Sequence, residues 1–150
     1  MTKTIKDPQY WLMQFDLEAM EVDVGRWKTR RWSIVNLNLP HTEEECSDTQ
    51  ISLPLELFKD ERTDYRFNLS SRDPHLFFIF EVEDDEALKP LQVTASQTHA
   101  ASFMDGDDLV LSISMPLAVQ AWMEAFIGRH GELLEVRKKK RRGAGRASGN

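Results

Sequence analysis

Apolar and polar residues alternate at period two through Trp11, Met13, Phe15, Leu17 and Ala19, with Gln14, Asp16 and Glu18 between them. Period two sends successive side chains to opposite faces of a strand, so residues 13–20 are expected to form a half-buried β-strand. Leu12, Phe15, Ala19 and Val22 also fit a helical period, which leaves a helix as the second reading of this stretch. Gly25 interrupts both patterns. Ser33-Ile34-Val35-Asn36-Leu37-Asn38-Leu39 is a second β segment, stopped by Pro40. Ile51–Phe58 carries Pro54 in its middle and reads as an edge or bulged strand. Tyr65-Arg66-Phe67-Asn68-Leu69 alternates cleanly and is expected to be its hairpin partner. His75–Val82 is nearly continuously apolar, as a central strand buried on both sides would be. Leu91–Ala95 and Leu109–Ser114 complete the strands.

Two helices are expected among them. Ser96 is a suitable N-cap for a short helix over Gln97–Met104, closed at Asp105-Gly106. Pro116 suits the first turn of a second helix, on which Val119, Trp122, Met123, Phe126 and Ile127 fall on one face. The fold class predicted is α+β, mostly a small antiparallel sheet or half-open barrel of about six or seven short strands with two short helices. Residues 1–9 read as a frayed leader, 10–134 as a single α+β domain, and 135–150 as a basic disordered tail.

Charge changes the picture. The chain carries 19 Lys/Arg and 25 Asp/Glu over 150 residues, a net charge of -6. Seven of the cations lie in residues 137–150, which hold no acid, so the rest of the chain has 12 basic against 25 acidic groups and a balance of about -13. An acidic body repels polyanions while its cationic end attracts them, or attracts the body itself. Arg137, Lys138, Lys139, Lys140, Arg141 and Arg142 are therefore one candidate partner-binding element. The other is Trp27, Arg30, Arg31 and Trp32, where aromatics and cations interleave as they do on surfaces that stack on bases or on a protein partner. The competing structural reading buries one tryptophan and pairs the arginines with the acidic body.

Little in the sequence points to catalysis. No phosphate-cradling glycine motif is present, and three of the seven glycines lie at 143, 145 and 149. The four histidines (His41, His75, His99, His130) are spread along the chain without a local pair, and the one cysteine cannot build a thiolate metal site. Asp105-Gly106-Asp107-Asp108 lacks the order of a calcium loop. Cys46 follows Glu43-Glu44-Glu45, which disfavour a thiolate. These acids, and Asp84-Asp85-Glu86, read as solvated loops. No catalytic residue, metal or cofactor is assigned. The lone cysteine and the absence of an apolar leader or a run of about 18 apolar residues place the expected compartment in the cytoplasm, with no membrane contact.

Several strings in order resemble the bacterial family of unknown function DUF3305. They are Arg31-Trp32 opening a strand, Asp60-Glu61 before Tyr65–Leu69, Val93-Thr94-Ala95-Ser96 before a short helix, Met115-Pro116 opening a helix with Trp122, Phe126 and His130, and the closing Lys/Arg run. The resemblance covers roughly residues 26–142; the acidic stretch Glu43–Asp48 and the long first strand fit it less well. It implies a protein encoded near formate dehydrogenase genes, among accessory and maturation factors of a molybdenum enzyme, and carries over no catalytic residue. The first functional expectation is thus a non-catalytic accessory or adaptor protein, whose partner is a formate dehydrogenase subunit or maturation factor. The second is a small nucleic-acid-binding module using the basic arm. The third is an enzyme of unrecognised type built on His75, His99 or His130.

Overall fold

A computed structural model of the chain describes residues 4–83 and 87–132. The first alternating stretch is a strand, and a long one: β2 spans Tyr10–Val24, preceded by the two-residue β1, Lys6–Asp7. It turns at Gly25, whose φ of 62° is a backbone conformation natural to glycine. The chain returns as β3, Trp27–Asn38, antiparallel to β2. β4, Ile51–Glu56, pairs with the first half of β2, from Tyr10↔Glu56 to Phe15↔Ile51. Pro54 is tolerated there because β4 has β2 as its one strand partner among the described residues. A second sheet has β5 (His75–Val82) between β6 (Leu88–Thr94) and β7 (Asp108–Ser114), all antiparallel. Leu76 to Phe80 are buried without interruption, as their continuous apolarity requires of a central strand. Seven strands in two antiparallel sheets, not closed into a barrel, agree with the predicted α+β class.

The described residues form three α-helices where two were expected. α1, Arg62–Leu69, occupies the stretch predicted as a strand. The alternation of Tyr65, Phe67 and Leu69 misleads because Phe67 is 72% exposed and the buried partner of Tyr65 is Asn68, three residues on. The Asn68 side-chain amide donates to His75 O and Ala95 O and its oxygen accepts from His75 N, so a polar residue occupies the inward face of this helix. α2, Gln97–Ala101, is shorter than the predicted Gln97–Met104, and Ser96 caps it by accepting from His99 N at 3.1 Å. α3, Leu117–His130, buries Val119, Trp122, Met123, Phe126 and Ile127 as its periodicity predicts. It ends at Gly131, with φ of 84°.

The core joins both sheets to α3. Phe15 of β2 meets Phe78 and Phe80 of β5 edge-on, Trp11 meets Trp122, and Tyr65 meets Phe126. The expected leader is partly incorporated: Ile5 is buried, Lys6–Asp7 pair with β2, and Asp7 O accepts from Trp122 Nε1 at 2.8 Å. Arg129 also donates to Pro8 O. Trp122 and Arg129, more than a hundred residues away, fix this segment, which no local pattern signals.

Candidate functional site

The β2–β3 hairpin outruns the body that supports it. Seven cross-strand pairs, from Glu18↔Ser33 to Val24↔Trp27, continue past the point where β4 ends. At about 3.4 Å per residue this is a ribbon about 24 Å long. Beyond Phe15, β2 has β3 as its only strand partner among the described residues, and β3 has only β2. A bulge marks the root. The register shifts between Gln14↔Asn38 and Asp16↔Val35, placing an extra residue on β3, and Asn36 takes φ of 55°. Asn36 Nδ2 donates to Asp16 Oδ2 at 3.0 Å, and Gln50 Nε2 donates to Asn36 O at 2.6 Å. Buried Gln14 anchors the neighbouring turn, bonding Ser47, Ser52 and Asn38 with every polar atom of its amide group.

Directly paired residues share a face. One face of the ribbon therefore carries Met20, Val22 and Val24 on β2 with Trp27, Thr29 and Arg31 on β3. Trp27 is 77% exposed, Met20 60% and Val24 56%. The opposite face carries Ala19, Glu21 and Asp23 against Trp32, Arg30 and Lys28. Of the predicted cluster, Trp27 and Arg31 thus lie on the apolar face and Arg30 and Trp32 on the charged one. Trp32 is half-buried, and the Arg30 guanidinium lies 5.8 Å from its ring centroid. Among the described residues, Arg26, Lys28, Arg30 and Arg31 form no ion pair within 4 Å. The strands differ in sign: Glu18, Glu21 and Asp23 lie on β2, and Lys28, Arg30 and Arg31 on β3. The other predicted element, Arg137, Lys138, Lys139, Lys140, Arg141 and Arg142, lies outside the described residues, as do Asp84, Asp85 and Glu86.

Folding also assembles a cleft that the sequence does not signal. Pro54 and Glu56 of β4, Phe58 and Glu61 of the following turns, Leu91 to Thr94 of β6 and His99 of α2 surround about 370 Å³. His99 Nε2 is fully buried and has no hydrogen-bond partner among the described residues. Glu61 is held by Tyr65, whose hydroxyl donates to Glu61 Oε1 at 2.7 Å while accepting from Phe58 N at 2.9 Å. Burial foremost, and then the Glu61 carboxylate, hold the Tyr65 phenol well above its usual pKa, so it remains a donor. The residues come from four segments whose spacing follows no motif.

The matching family model is described as "Protein of unknown function (DUF3305)" and covers residues 17–142. The chain belongs to the DUF3305 family. No curated protein and no solved structure matches it. The span shared with DUF3305 begins at Leu17, where β2 leaves the body, and takes in the whole ribbon, the cleft and the basic run to Arg142.

The remaining histidines are engaged singly in this DUF3305 chain. His41 packs against Trp11, and His75 Nδ1 lies 2.6 Å from Asp73 O. His130 packs on Phe126, its pKa lowered by desolvation and then by Lys59, Arg129 and Arg62. Cys46 Sγ donates to Thr42 O at 3.6 Å. Among the described residues, no group of three His, Cys, Asp or Glu side chains could hold a metal ion, and no helix is long and apolar enough to cross a membrane.

Proposed function

We propose that this DUF3305 chain is a non-catalytic accessory or adaptor protein that docks on another protein through the β2–β3 ribbon, with Arg137–Arg142 as a second contact. The observation that carries the reading is Trp27, exposed at the far end of a ribbon on which it shares one face with Met20 and Val24. An unsupported two-stranded hairpin is marginally stable in water, and contact with a partner would stabilise this one. Tryptophan and arginine are also the residues that most often dominate binding energy when a partner covers them. The resemblance to proteins encoded beside formate dehydrogenase genes makes a subunit or maturation factor of that molybdenum enzyme the first partner to try.

Nucleic acid is the second reading. The same ribbon that offers cations offers three carboxylates on its other strand, and the body is acidic, so the non-specific attraction of a polyanion is weaker here than on a basic domain. Affinity isolation from the native host tests both, using the full chain, Trp27→Ala and a chain ending at Val136. Protein partners retained by the wild type and lost with Trp27→Ala support docking by the ribbon. Retention of every partner by both altered chains contradicts it. Salt-sensitive recovery of nucleic acid that depends on Arg137–Arg142 would favour the second reading.

A further inference from the structure

We propose that the cleft between β4 and β6 is a receptor for a guanidinium or ammonium side chain, and that its occupant comes from the basic run Arg137–Arg142 of the same chain. The cleft is built for a long cationic side chain. Glu56 and Glu61 bring carboxylates from separate segments, and Tyr65 fixes both the Glu61 carboxylate and the backbone of Phe58. Phe58 and Leu91, 49% and 40% exposed, are apolar walls for the methylene stem. The face of Phe58 also attracts a cation. His99 lines the same cleft, and its fully buried Nε2 has no hydrogen-bond partner among the described residues. An anion meets two carboxylates here, and a purely apolar ligand would desolvate them without pairing them.

The chain's own path supplies the occupant. Past α3 it leaves at Gly131, where the carbonyls of His130 and Gly131 accept from Arg62 Nη1, and Arg62 adjoins Glu61 at the cleft rim. Arg137 follows Gly131 by six residues, a reach of about 20 Å at full extension. A short tether gives an effective concentration of about 1 mM, so a site with a dissociation constant of about 1 mM is already half filled from within the chain. Occupancy draws the cations onto the acidic body until a partner competes for them. It is independent of docking by the ribbon, because the cleft and the ribbon share no residue.

The test uses the full chain with Cys46→Ser and Gly143→Cys, carrying a nitroxide at position 143. The expected result is loss of amide NMR intensity at Leu91, Gln92 and Val93. That intensity should return in Glu56→Gln/Glu61→Gln, where the amide oxygen introduced at position 61 still accepts from Tyr65. It should return as well in R137Q/K138Q/K139Q/K140Q/R141Q/R142Q, which leaves the cleft untouched. No loss at these amides, or loss that persists in the sextuple variant, overturns the proposal.

Discussion

From Trp11 to Phe15, β2 is flanked by β4, faced by β5 and α3, and fully buried; from Glu18 to Val24 the same strand has only β3 beside it among the described residues. Both halves alternate and both are strand-forming. The difference lies in what opposes them. In the first half Phe15 meets two phenylalanines of the other sheet, whereas in the second the same face carries Ala19, Glu21 and Asp23, and the opposite face exposes Met20 and Val24 with Trp27. Alternation specifies which side chains share a face, and only tertiary neighbours decide whether that face is core or contact surface.

Substitutions in the two regions should separate folding from binding. The largest effect on folding is expected in the body: Phe78→Ala removes a fully buried ring and should lower unfolding free energy in urea by about 3–5 kcal/mol. Asn68→Ala should cost about 2–3 kcal/mol, because the His75 and Ala95 backbone groups lose their partner. Ser96→Ala, which removes the cap of α2 and the bond to Asp64, should cost about 1 kcal/mol by the same measurement.

A pH series reaches the α1–α3 contact. Arg66 grips Glu124 through both guanidinium Nη atoms, at 2.9 and 2.7 Å, and this bonding holds the Glu124 carboxyl below its ordinary pKa. A depressed folded-state pKa contributes stability above the unfolded value, and that contribution fades as pH falls through the folded one. Half-exposed Glu124 limits the effect. Glu124→Gln should therefore lower stability slightly at neutral pH and flatten its decline on acidification. An unchanged acid slope would show that the pair is uncoupled from folding. Smallest of all, Trp27→Ala should leave unfolding free energy within about 0.5 kcal/mol of wild type. A loss as large as that of Phe78→Ala would erase the distinction between body and ribbon.

Particular residues show how much of this is legible in the sequence. β5 is readable because Leu76–Phe80 are apolar without a gap, and α3 because its buried positions are all apolar at helical spacing. The ribbon is readable only at its root, where alternation marks residues 13–20 and 33–39; the continuation of β2 to Val24, the start of β3 at Trp27 and the ribbon's projection past β4 rest on cross-strand pairing. α1 escapes because its inward residue is Asn68, whose role is to bond His75 and Ala95, and an apolar count passes over it. The Trp27–Trp32 cluster is visible as composition, but its division between two faces needs the register with β2. The cleft leaves no trace in the sequence, because Glu56, Glu61 and His99 are joined only by the approach of β4 to β6.

The most direct test measures affinity for the protein partner identified from the host, by calorimetry, for wild type and Trp27→Ala in parallel. Docking by the ribbon predicts a loss of at least about 2 kcal/mol, roughly 30-fold in dissociation constant, in a variant that unfolds at the wild-type urea midpoint. Equal affinity in the two folded proteins would contradict it.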